Sequence, residues 1–124
     1  MDEELVARGR EVQAQLWPRV AAGLTGAFPA AKLAPDFYEY VAASAFGMLW
    51  SRPGLALRDR SLVTVAQLAA LGKTGELRAH LAGARNLGIS QEELVEVLMQ
   101  TAIYAGVPAA NEALAVAADV FGIE

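Results

Sequence analysis

The chain has 124 residues, 55% of them hydrophobic and only 19% charged, with a mean hydropathy of +0.32. That length suits one compact domain over residues 1–124 and excludes a disordered chain, yet it carries more apolar surface than so small a globule can hide, so subunit interfaces are expected. A net charge of −4, no cysteine and a single histidine exclude disulfides, thiol nucleophiles and an ordinary zinc centre, leaving oxygen and nitrogen chemistry with no metal expected.

Alanine and leucine dominate, β-branched residues do not alternate with polar ones, and Gly or Pro falls where helices would be punctuated. The pattern predicts an all-α fold of about six helices. A first helix runs from about Glu3 to Leu16 and stops near Pro18, which lacks a donor and clashes with the preceding turn. Residues 18 to 35, with Gly23, Gly26, Pro29 and Pro35, read as a connector. A second helix covers about Asp36 to Leu49 and sets Phe37, Tyr40, Val41 and Ser44 on one face. Ser51-Arg52-Pro53-Gly54 then has the composition of a turn. A third helix, about Asp59 to Leu71, is apolar nearly all round, the pattern of a central, buried element, and ends at Gly72. A fourth, from about Gly75 to Leu87, closes at Gly88. Ser90-Gln91-Glu92-Glu93 is a capping box that opens a fifth helix reaching about Ala105. Gly106-Val107-Pro108 breaks it ahead of a sixth, from about Pro108 to Phe121.

Charge is distributed unevenly along these elements. Between Arg52 and Arg85 stand Arg52, Arg58, Arg60, Lys73, Arg78 and Arg85 against Asp59 and Glu76, whereas from Ile89 onward there are six acids and no Lys or Arg. An acidic chain without a basic run is a poor nucleic-acid partner, and a small anion suits the central cations better. The longest apolar stretch, Leu62 to Leu71, is interrupted by Thr64 and Gln67 and falls far short of the roughly 20 residues that span a bilayer, so no membrane partner is expected. The acidic start, Met1 to Glu4, lacks the positive charge of a secretory signal, and a cytoplasmic location is expected.

His80 is the one side chain that ordinarily titrates near neutrality, which makes it the candidate general acid or base. Glu76 lies one turn earlier on the same face, where it can orient the imidazole and favour its charged form, or simply make a surface ion pair with it. Arg58 and Arg60 stand at the start of the third helix, where the macrodipole disfavours cations. Each therefore calls for an acid nearby, either a bound carboxylate or a carboxylate of the acidic C-terminal third. Arg52, presented by its turn, carries the same two options. Trp50 and Tyr104 flank helix ends as pocket walls or as core. Glu92 and Glu96 share a face as solvated acids or as a weak cation site. No nucleotide-binding or serine-esterase motif is present.

Four blocks add to this reading: Trp50-Ser51-Arg52-Pro53-Gly54-Leu55, Arg58-Asp59-Arg60-Ser61-Leu62-Val63-Thr64, Gly75-Glu76-Leu77-Arg78-Ala79-His80-Leu81 and Tyr104-Ala105-Gly106-Val107-Pro108-Ala109-Ala110-Asn111. Together they resemble the γ-carboxymuconolactone decarboxylase family over about Phe37 to Phe121, while the N-terminal 36 residues match poorly. The resemblance implies an alkylhydroperoxidase D-like helical domain that assembles as a homo-oligomer, commonly a trimer or hexamer. The cysteine relay of the peroxidase branch is missing, and Ser61 stands where that branch has a glutamate, so thiol peroxidase chemistry is excluded. For the decarboxylase branch the resemblance implies a small carboxylated, unsaturated lactone as substrate and no cofactor. It implies His80 as proton donor or oxyanion partner, Glu76 as its orienting carboxylate, Arg60 and Arg52 as carboxylate anchors, and Trp50 and Tyr104 closing the pocket. Glu11 to Trp17 depart from the family pattern, which leaves room for a related lactone as substrate. Proton transfer or hydrolysis on such a lactone, and a non-catalytic oligomeric acid binder, are the competing readings.

Overall fold

The structure, a computed structural model, describes residues 1–21 and 29–124. Its described residues are helical, with no strand among them, and form two compact units, Met1–Leu57 and Arg58–Glu124. Gly23 and Gly26, expected to punctuate the connector, lie outside the described residues.

In the N-terminal unit, α1 spans Glu3–Leu16. The Asp2 carboxylate caps it, accepting from the amides of Glu4 at 2.9 Å and Leu5 at 3.3 Å, which satisfies donors that have no partner inside the helix. Within the expected connector, Pro18–Ala21 forms a short α2 and Pro29–Leu33 a short α3. The expected second helix is divided: α4, Pro35–Val41, continues as a π-helical segment, Ala42–Trp50. There the bonds reach one residue further back, as from the Ser51 amide to the Phe46 carbonyl at 3.1 Å. Residues four or five apart then stack along one side, and the buried stripe is Ala42, Ala43, Phe46, Gly47 and Trp50. Phe37 and Tyr40, on the face anticipated from the ordinary helical period, are exposed.

Packing of α1 on the π-helical segment depends on two missing side chains. A Cβ on Gly9 would lie 1.8 Å from the Ala42 carbonyl oxygen, and one on Gly47 would lie 2.2 Å from that of Leu5. Glycine at both positions lets the two backbones touch, with Val12 and Leu16 buried alongside.

The C-terminal unit comprises α5 (Leu57–Leu71), α6 (Thr74–Asn86), α7 (Gln91–Ala105) and α8 (Val107–Val120). Gly72 at φ +68° and Gly88 at φ +90° follow α5 and α6 in the left-handed region that ends helices. The capping box forms, with the Glu93 amide donating to Ser90 Oγ at 3.0 Å and the Ser90 amide to Glu93 Oε1 at 3.1 Å. The core draws Val65 and Ala69 from α5, Leu77, Leu81 and Ala84 from α6, Leu94 and Leu98 from α7, and Ala113 and Ala117 from α8, with Ile89 between α6 and α7. Alanine on α8 lets that helix approach α6 and α7 closely.

The sequence pattern marks α5 as buried nearly all round, and this expectation is corrected. Only Ser61, Val65 and Ala69 are buried, one stripe at a spacing of four, while Val63 is 46% and Leu71 69% exposed. The other three helices of the unit cover a single face of α5; Leu62 and Leu68 are partly buried at its edge, while Val63 and Leu71 stay open.

Candidate functional site

His80 is set on α6 by residues that dictate which way the helix turns. Leu77, Leu81 and Ala84 are buried, and the imidazole shares their side of the helix at 6% exposure, with Nδ1 wholly out of solvent. Burial disfavours the charged ring and pushes its pKa from 6.5 down to about 4. At neutral pH the ring is therefore uncharged, with one nitrogen carrying a hydrogen and the other a lone pair.

Glu76 does not meet it. The helical advance of about 100° per residue puts Glu76 about 40° from His80, on the side away from Leu77 and Leu81. The side chain faces solvent and makes no hydrogen bond or ion pair among the described residues. A spacing of four puts two groups on one face, but here that face crosses the boundary between core and water.

The puzzle of Arg58 is resolved within the unit. Its guanidinium pairs with Glu93 Oε2, while Oε1 of the same carboxylate serves the capping box of α7. One carboxylate thus offsets an unfavourable cation at the start of α5 and completes the start of α7. Arg78 likewise pairs with Asp119. Both acids belong to the acidic C-terminal third, so part of the central positive charge is neutralised by the chain itself. Arg85 donates to the Ile89 carbonyl at 2.8 Å. Arg60 is half-buried at the start of α5, with Nε out of solvent.

Tyr104, at the end of α7, is 84% exposed and lines a cavity of about 430 Å³ between α5 and α7 with Leu62, Val63, Gln67, Val97 and Thr101. Neither His80 nor Arg60 lines it. Trp50 is buried in the N-terminal unit, its ring 5.6 Å from that of Phe46, and Arg52 is exposed on the turn that follows. No group of three or more acids or histidines is placed to hold a metal among the described residues, and no described helix is long and apolar enough to cross a membrane.

One polar residue of interest has no sequence signal beyond its family position. Ser61 is fully buried and its hydroxyl makes no hydrogen bond among the described residues, in contrast to Thr64, which donates to the Arg60 carbonyl, and Thr101, which donates to that of Val97. A serine at the start of an apolar helix reads as a capping or surface group, and only the packing shows it enclosed.

A four-helix unit whose aliphatic core holds one neutral imidazole is a scaffold suited to small-molecule acid–base or electrostatic chemistry. Residues 35–119 match the Carboxymuconolactone decarboxylase family, and the chain belongs to it. It is 46% identical over 86 residues, 69% of its length, to 4-carboxymuconolactone decarboxylase of Acinetobacter baylyi. It is 36% identical over 78 residues, 63% of its length, to nitrosuccinic acid decarboxylase of Metarhizium robertsii. The aligned stretches span 64% and 54% of those two proteins, less than two thirds of either. An uncharacterised 15.0 kDa protein of Paracoccus denitrificans is 30% identical over 95 residues, 75% of this chain and 71% of its own.

Proposed function

We propose that this protein is a carboxy-lyase that removes CO2 from a small carboxylated, unsaturated lactone, 4-carboxymuconolactone or a relative, without a cofactor. Family membership and the two named decarboxylases support the reaction class. A lactone carbonyl conjugated to a double bond and a nitro group are both electron sinks, so the common demand is a carboxylate whose bonding electrons can drain into an acceptor already in the substrate. In the lactone, the bond to the carboxylate carbon breaks and CO2 departs. The electron pair moves through the ring double bond to the carbonyl oxygen, and the resulting dienolate takes up one proton at carbon.

The observation that carries the reading is the buried, uncharged state of His80. A neutral imidazole in a low-dielectric site donates its N–H to the developing oxyanion more effectively than the same group in water. It also passes a proton from solvent to carbon, with no charged acid held in reserve. Arg60 and Arg52 are assigned as carboxylate anchors, and Trp50 and Tyr104 as walls that close over the ligand. Glu76 is assigned as the orienting carboxylate, a role that requires its side chain to turn from solvent toward the ring.

Loss of the lactone's ultraviolet absorbance, followed with wild type and His80→Ala, tests the assignment. A fall in kcat of a hundredfold or more is expected, and equal rates would refute it. The product must have lost CO2; a product of unchanged mass, or of mass raised by one water, would indicate isomerisation or hydrolysis instead. Glu76→Ala is expected to lower kcat and move its pH profile, and an unmoved profile removes the orienting role.

A homo-oligomer, trimer or hexamer, belongs to the same proposal. Val63, Leu71, Ile103, Tyr104 and Val107 are exposed on the C-terminal unit, an amount of open apolar surface that favours a covering partner. Light scattering at the 13.1 kDa of one chain would contradict it.

A further inference from the structure

The N-terminal unit holds a second cavity, of about 360 Å³, whose walls include Arg10, Gln13, Trp17, Val20, Ala31 and Tyr38. Its size falls at the lower end of the range of about 300 to 1,000 Å³ typical of small-molecule sites, and its composition is theirs too: apolar and aromatic walls with a few polar groups. Arg10, Gln13 and Trp17 follow one another at spacings of three and four along one side of α1, next to the side that Gly9, Val12 and Leu16 bury. The aromatic walls are held in place. The Trp17 ring stands edge-on to Phe46 at 5.8 Å and 77°, and Tyr38 stands edge-on to Phe37 at 5.2 Å and 86°.

The polar end of the cavity is arranged for an anion. Arg10 donates to Gln13 Oε1 at 3.4 Å, so the amide oxygen is occupied and the amide's two hydrogens are left to donate. A guanidinium and an amide NH2 side by side match the two oxygens of a carboxylate, and indole and phenol faces match a flat ring. Except for Tyr38, these lining residues lie before residue 35, outside the stretch that matches the family. The cavity is therefore built mostly by the segment ahead of the family match.

We propose that this cavity binds a small monocyclic aromatic carboxylate, with the carboxylate on Arg10 and Gln13 and the ring against Trp17 and Tyr38. Benzoate is the probe, and benzyl alcohol is its uncharged match. Calorimetric titration of the full chain should give one benzoate bound per chain, at least tenfold tighter than benzyl alcohol, with a change in indole emission that is lost in Trp17→Phe. Arg10→Ala, at an exposed position that leaves circular dichroism unchanged, should weaken benzoate at least tenfold and leave benzyl alcohol as it was. Arg10→Lys, which keeps the charge but not the fork, should fall between. His80→Gln should bind benzoate like wild type. Absence of benzoate binding at millimolar concentration would overturn the proposal, as would equal affinity in Arg10→Ala. Loss of binding in His80→Gln with retention in Arg10→Ala would also overturn it, by placing the ligand at the imidazole.

Discussion

Replacing His80 by glutamine removes the one imidazole in the chain, and with it a specific dependence of stability on pH. Unfolded, the ring binds a proton with a pKa of about 6.5; folded, burial lowers this to about 4. Between those values the unfolded chain holds the proton more tightly, so acidification favours unfolding. The contribution is fully present above pH 6.5, is lost progressively as pH falls toward 4, and is constant below. The separation of the two pKa values corresponds to about 3 kcal/mol. Urea unfolding of wild type and His80→Gln at pH 7.5, 5.5 and 4, at one fixed protomer concentration, isolates this contribution because glutamine does not titrate. The wild-type advantage should shrink by about 3 kcal/mol from pH 7.5 to 4. A difference that stays constant over that range would refute the reasoning, and so would a histidine C2 proton resonance in the folded protein that titrates near 6.5.

Three further outcomes are expected. Gly9→Ala drives a methyl group into the Ala42 carbonyl and should cost about 3 kcal/mol or prevent folding, whereas Gly54→Ala, with nothing within 4 Å, should change stability by less than about 0.5 kcal/mol in the same urea titration. A double-mutant cycle on Arg58 and Glu93, whose side chains are 47% and 45% exposed, should return a coupling below about 1 kcal/mol that weakens further in 0.5 M salt. Ser61→Ala removes a buried hydroxyl that makes no hydrogen bond among the described residues and should raise stability by about 1 kcal/mol; destabilisation in the urea midpoint would show that the hydroxyl has a partner.

Features decided within a few residues are legible from the sequence. The Ser90–Glu93 box and the helix ends at Gly72 and Gly88 are local events, and α1 ends at Leu16 just ahead of Pro18. The anomaly of Arg58 correctly points to an acid, because a cation at a helix start is unfavourable wherever the chain goes, although its partner is Glu93 and not a ligand. What depends on three-dimensional surroundings is less accessible. The period of 3.6 presumed for residues 36 to 49 does not apply where the backbone adopts π-helical bonding, so the buried stripe shifts to Ala42, Phe46 and Trp50. An apolar composition all round α5 marks a helix that seeks cover without saying how much a single chain provides. The spacing between Glu76 and His80 fixes their angle about the axis, yet only the packing of Leu77 and Leu81 decides which of the two enters the core. The cavity beside Arg10 gathers residues from α1 through α4 and has no signature in the order of the sequence.

The touching backbones of α1 and the π-helical segment set a rule for remodelling this protein. Gly9 faces the Ala42 carbonyl and Gly47 that of Leu5, so the π-helical framework and the leading helix must each carry a gap for the other's backbone. A foreign first helix grafted onto this framework will seat only if it brings a glycine opposite Ala42. Any that does can import a new set of side chains at the positions of Arg10, Gln13 and Trp17, and with them a different lining for the cavity.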